Sequence, residues 1–139
     1  MKTKLNTKRI DKKTKNNLKQ DNDFNFAYIA AKAAEEKKGE NILLLDVSKL
    51  TVIADYFLII TAKSTPQIQA LADFITEELK TLNGYIVSRE GFINNNWVVL
   101  DFGNLVVHIM DTKERDYYKL ERFWGNAVLV DSKIWKKAS

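Results

Sequence analysis

Cysteine is absent from the 139 residues, which excludes disulfides, thiolate zinc sites and cysteine nucleophiles and removes any need for an oxidising compartment. Histidine occurs once, as His108, so neither a histidine-rich metal site nor a histidine-based triad has company to build on. The five glycines are dispersed and form neither a G-x-x-x-x-G-K-[ST] loop nor a G-x-G-x-x-G turn, so the phosphate cradles of the common nucleotide-binding folds are missing. Long apolar runs are also missing. Ile42–Leu45 and Tyr56–Ile60 have strand length, far short of the roughly 20 residues that span a bilayer. The first residues, Met1-Lys2-Thr3-Lys4-Leu5, continue polar without the apolar core of a secretory signal. The expectation is a cytoplasmic protein with no membrane segment and no cofactor.

What is present divides unevenly along the chain. Residues 1–23 hold eight Lys or Arg against Asp11, Asp21 and Asp23, a local charge of +5. The other 14 cations face 15 acids, so the net +4 and the basic isoelectric point belong to the arm, and the remainder is close to neutral at −1. With only Leu5, Ile10 and Leu18 to bury, the arm has too little apolar surface to offset the entropy of ordering and is expected to be disordered. Residues 24–130 carry the apolar periodicity of one folded domain, and 131–139 read as a short basic tail.

Within the domain, Phe26, Ile29, Ala30 and Ala33 follow helical spacing, predicting a helix over about 24–38 closed by Gly39. Strands are predicted at Ile42–Asp46 and Tyr56–Thr61. Ser64-Thr65-Pro66-Gln67 is a helix-start signature, and Ile68, Leu71, Ala72, Ile75, Leu79 and Leu82 then line one helical face before Asn83-Gly84. Tyr85–Ser88, Trp97–Asp101 and Leu105–Met110 supply three more strands, the last two joined as an antiparallel hairpin by Phe102-Gly103-Asn104. Asp111 and Glu114 open a final helix with Tyr117, Leu120 and Trp124 on one side. The pattern specifies a single α/β domain with a mixed five-stranded sheet flanked by helices.

The chemistry is sparse. Asp46, Asp101 and Asp111 lie at predicted strand ends, where paired acids could hold divalent cations for nucleotidyl transfer, but none belongs to a D-x-D or D-x-E pair. The local alternative is that each caps a turn or helix. Trp97 stands out from the other aromatics because it follows three asparagines and opens a strand, where a large ring is less easily enclosed and where interfaces favour Trp and Tyr anchors.

Five segments in order, Ile53-Ala54-Asp55-Tyr56-Phe57, Arg89-Glu90-Gly91, Trp97 to Gly103, Val106-Val107-His108-Ile109 and Tyr117 to Gly125, resemble the landmarks of the ribosomal silencing factors, the Iojap family. The likeness covers roughly residues 24–128. It implies a nucleotidyltransferase-like topology without catalytic acids and a non-enzymatic role. That role is binding the large (50S) ribosomal subunit through universal ribosomal protein fourteen, blocking subunit association and so repressing translation. The contact residues it implies are Trp97, Leu100, Asp101, Phe102, Gly103 and Asn104, with Tyr117 and Tyr118 as further candidates, while His108 is a motif residue without an assigned role. Homodimerisation is implied as well. The chain departs from the family with Ala62-Lys63-Ser64 in place of Gly-Thr-Ser, and with Gly103-Asn104 in place of Gly-Asp, which takes one charge out of the contact region. Two other readings stand beside this one: a divalent-metal nucleotidyltransferase-like enzyme, and an RNA-binding ribosome assembly factor whose arm contacts ribosomal RNA.

Overall fold

The computed structural model describes residues 25–138, so the basic arm, expected at 1–23, lies outside the described residues. Helix α1 is Phe26–Glu36, with the Asn25 side chain accepting hydrogen bonds from the backbone N–H groups of Ala27 and Tyr28. It closes in a Schellman arrangement, in which Gly39 N–H reaches Ala34 C=O and Lys38 N–H reaches Glu35 C=O. Lys38 adopts the left-handed conformation (φ 65°). Gly39 is needed for a different reason: a Cβ there would sit 2.6 Å from Ile60 Cγ2.

Strands β1 (Glu40–Asp46) and β2 (Tyr56–Ala62) follow, then α2 (Thr65–Lys80), capped by the Ser64 hydroxyl as the sequence predicts. Its predicted face is buried from Ile68 to Leu79, with Leu82 partly buried at the end. After β3 (Ser88–Phe92) come β4 (Trp97–Asp101) and β5 (Leu105–Asp111), and then α3 (Thr112–Tyr118), α4 (Leu120–Phe123), β6 (Val128–Leu129) and α5 (Ser132–Trp135). The strands form one mixed sheet in the order β3-β4-β5-β2-β1-β6. β2 and β5 run parallel and the other pairs are antiparallel, including the predicted β4–β5 hairpin.

Four expectations change. Among the described residues the sheet has six strands rather than five, because Val128 and Leu129 pair with Asp46 and Leu45. Two residues are too few for a strand to show in an apolar pattern. The strand expected at Tyr85–Ser88 begins where that segment ends: register with β4 places Ser88 opposite Asp101 and Phe92 opposite Trp97, leaving Tyr85 and Val87 exposed in the connection. The last helix breaks at Lys119 (φ 47°), so Tyr117 leaves the face shared by Leu120 and Trp124 and is 78% exposed. Residues 131–139, expected as a tail, instead carry α5. Trp135 is only 3% exposed within the main core, and Lys32 Nζ donates to the Ala138 carbonyl oxygen at 2.7 Å.

The core is split by the sheet. On one face α1, α2 and α5 cover Leu44, Leu58, Ile60, Leu100, Val107 and Ile109. On the other, a smaller cluster of Leu45, Val47, Ala54, Phe57, Ile59 and Met110 is covered by Leu120, Trp124 and Ala127 from α4 and the segment after it. No helix of the described residues is long and apolar enough to cross a membrane.

Candidate aromatic interface

Alternation along β4 assigns its residues to opposite sides of the sheet. Val98 and Leu100 enter the helix-covered core, while Trp97, Val99 and Asp101 face the other way. Leu100 is 0% exposed, so its side chain is unavailable to a partner, and its expected place in the contact set is corrected to a core position. Side chains three positions apart on a strand cannot share a face.

At the start of β4 the half-buried Trp97 is the centre of a ring cluster. Its centroid lies 4.9 Å from that of Tyr118, which is in turn 4.9 Å from Tyr117 in an edge-on contact. Phe92, opposite Trp97 across the β3–β4 hairpin, packs at 5.9 Å. Offset and edge-on packing at such separations is favourable for aromatic pairs. Three of the expected residues, Trp97, Tyr117 and Tyr118, are therefore brought together although 20 positions separate Trp97 from Tyr117. Below them, the Trp97 indole Nε1–H donates to His108 Nδ1 at 3.1 Å. His108 meets the edge of Phe57, which packs against Trp124 at 4.7 Å. Desolvation by burial lowers the His108 pKa from 6.5 to about 4, so the imidazole is neutral at physiological pH, and an indole N–H, which only donates, requires its Nδ1 to be the unprotonated nitrogen.

The other expected residues gather at the far end of β4, about 13 Å along at the usual strand rise. Asp101 accepts a hydrogen bond from Gly103 N–H at 2.8 Å, Gly103 turns the chain at φ 91°, and Asn104 is exposed while its carbonyl receives the N–H groups of Asp55 and Tyr56. Phe102 leans partly into the main core. The expected contact set is thus two groups along one strip, joined by Val99. Phe92 and Glu90 on β3 belong to the same strip, and the sequence reading did not include them; the hairpin pairing that aligns them with Trp97 and Val99 was the signal that could have found them.

Support for α3 comes from Arg115, which donates from Nη1 to Thr61 Oγ1 at 2.8 Å and from Nε to Glu121 at 3.3 Å. Burial pulls its pKa down, and the Glu121 carboxylate opposes that shift by charge and hydrogen bonding. The strand-end acids serve local turns: Asp46 receives Ser48, Asp101 receives Gly103, and Asp111 caps α3 through Glu114 N–H. Among the described residues there is no group of three or more His, Cys, Asp or Glu side chains that could hold a metal.

Comparison with known proteins places this geometry. The family model "Ribosomal silencing factor during starvation" matches residues 20–139. The chain is 42% identical to ribosomal silencing factor RsfS of Bacillus subtilis over 103 residues, covering 74% of this chain and 87% of that protein. It is 28% identical over 92 residues to the mouse mitochondrial assembly of ribosomal large subunit protein 1, covering 64% of this chain and 40% of that one. A crystal structure of a Chromobacterium violaceum protein superposes with a TM-score of 0.69 at 39% identity, over 72% of this chain and 83% of that one. A family model that spans all the described residues, with a relative and a solved structure that each match more than 70% of the chain, means that the chain belongs to the ribosomal silencing factor family.

Proposed function

We propose that this protein binds the large ribosomal subunit through universal ribosomal protein fourteen, using Trp97, Asp101, Phe102, Gly103 and Asn104 together with Tyr117 and Tyr118, and thereby blocks joining of the small subunit. It acts by occupancy, without catalysis or a cofactor, in the cytoplasm. The observation that carries the reading is the incompletely covered aromatic cluster at the start of β4. Trp97 is half-buried, Tyr117 and Tyr118 are exposed, and all three are held by contacts with one another. Such rings lose little conformational entropy when covered, which suits them to anchor an interface.

Charge favours a protein contact over an RNA contact on this strip. The strand residues that face outward with Trp97 are Ser88, Glu90 and Phe92 from β3 and Val99 and Asp101 from β4, so the formal charges there are two carboxylates. They complement a basic ribosomal protein and repel phosphate. The relative named for large-subunit assembly supports the large subunit as the partner.

The test is co-sedimentation with separated ribosomal subunits in near-physiological salt, alongside a light-scattering assay of subunit joining. Selective pelleting with the large subunit, lost in a folded Trp97→Ala variant, and inhibited joining are expected. Normal joining at saturating protein rejects the steric mechanism. If deletion of residues 1–23 abolishes pelleting, the RNA-binding reading displaces this one.

A further inference from the structure

His108 sits where an apolar residue would pack without cost. It lies on β5 between Val107 and Ile109 in sequence, opposite Val99, with its ring against Phe57 on one side and Trp97 on the other. Placing an imidazole there carries a desolvation penalty, and what the ring supplies in return is a hydrogen-bond acceptor. That acceptor is engaged: Trp97 Nε1 lies 3.1 Å from His108 Nδ1. Among the described residues the indole has no other hydrogen-bond partner, and its contacts with Phe92 and Tyr118, themselves partly exposed rings, and with the edge of the smaller core cluster restrain it only by packing.

We infer that His108 is a positioning residue, whose Nδ1 lone pair fixes the Trp97 indole against Tyr118 in the single orientation presented to the large-subunit partner. The inference rests on the proposed docking role of the Trp97 strip. It assigns a task to a residue for which the family resemblance gives no role. Burial that keeps the imidazole neutral keeps this lone pair available throughout the physiological pH range. A free indole would have to be ordered at the moment of docking, and its N–H would lose water without regaining a partner.

The experiment uses the full chain labelled with 15N. Its three tryptophans give three indole N–H resonances, and Trp97→Phe identifies the one from Trp97. In the wild type that proton should be protected from exchange with water. His108→Leu and His108→Asn form a matched pair of similar size, of which only Asn offers an acceptor near the Nδ1 position. In His108→Leu the Trp97 resonance should move and lose its protection while those of Trp124 and Trp135 report an intact fold, and large-subunit binding should weaken about 2- to 13-fold, the usual net worth of one hydrogen bond. His108→Asn should restore most of both. In a Trp97→Phe background His108→Leu should have no further effect on binding.

An unprotected Trp97 indole in the wild type overturns the inference without any His108 variant. Equal weakening by Leu and Asn, or an undiminished effect in the Trp97→Phe background, overturns it as well. If Trp97→Ala loses binding while His108→Leu binds as the wild type does, the docking strip stands and the positioning role falls. If Trp97→Ala itself binds normally, the docking reading fails and the positioning role fails with it.

Discussion

The two faces of strand β4 solve different problems. One side contributes Val98 and Leu100 to a core covered by three helices, where aliphatic side chains are closed off from water. The other contributes Trp97, Val99 and Asp101 to a surface only partly covered by α4 and the segment after it, where aromatic rings lie against one another and remain open to solvent at one end. The first face is complete within the chain. The second is packed well enough to be ordered yet leaves Tyr117 standing out, a surface suited to a partner. If the proposed docking role holds, stability and binding are carried by alternate residues of the same five-residue strand.

Leu100→Ala breaks the first face. It should cost about 2–5 kcal/mol in urea denaturation, as expected for a leucine truncated inside a packed core, yet the protein that remains folded should bind the large subunit with wild-type affinity. A selective loss of affinity in the folded fraction would mean that the two faces are not independent. Trp97→Ala breaks the second face, with the opposite signature: a loss of at most about 2 kcal/mol in the same denaturation and a fall in affinity of about 30-fold or more, measured by co-sedimentation.

Acid sharpens the comparison, because the second face contains the half-buried imidazole. The His108 pKa is about 4 in the folded protein against 6.5 when exposed, so below pH 6.5 the unfolded chain takes up a proton that the folded one does not. Stability present above pH 6.5 is then lost progressively down to about pH 4, at no more than about 1.4 kcal/mol per pH unit. His108→Asn should remove this component, which is read as the difference in urea midpoint between wild type and variant at pH 7, 5.5 and 4.5, with the carboxylates common to both. A constant difference across that range would contradict it.

The smallest expected effect lies in the β3–β4 turn, where Ile93 adopts φ 55° with a β-branched side chain that is 40% exposed. Ile93→Gly should raise stability by a few tenths to about 1 kcal/mol by relieving the left-handed conformation. Binding should not change, because Ile93 lies beyond the paired strip; a loss of affinity would extend the docking surface into the turn.

Much of the fold was legible because local signals and burial agreed. Ser64, Pro66 and the apolar spacing from Ile68 to Leu79 specify the start and the buried face of α2, and the Phe102-Gly103-Asn104 connection specifies the β4–β5 hairpin. Where they disagree, the tertiary structure overrides the local signal. Tyr85-Ile86-Val87 has strand chemistry but lies before β3, because pairing with β4 sets the register. Tyr117 has helical spacing with Leu120 and Trp124, but the left-handed Lys119 turns the chain between them. In the candidate site, Trp97, Tyr117 and Tyr118 come together as one group, whereas Leu100 was placed by segment rather than by side and proves to be core.

The sequence by itself determined the α/β class, the caps and the main helical face, the lack of thiol chemistry and the family, since these depend on composition, spacing and contiguous motifs. Only the tertiary structure decided which side of the sheet is left open, that β6 and α5 complete the fold, and that His108 holds Trp97. Those outcomes depend on strand register and on contacts between residues distant in the chain. A shift of one residue in register exchanges every inward side chain for an outward one, and nothing in the local sequence records that choice.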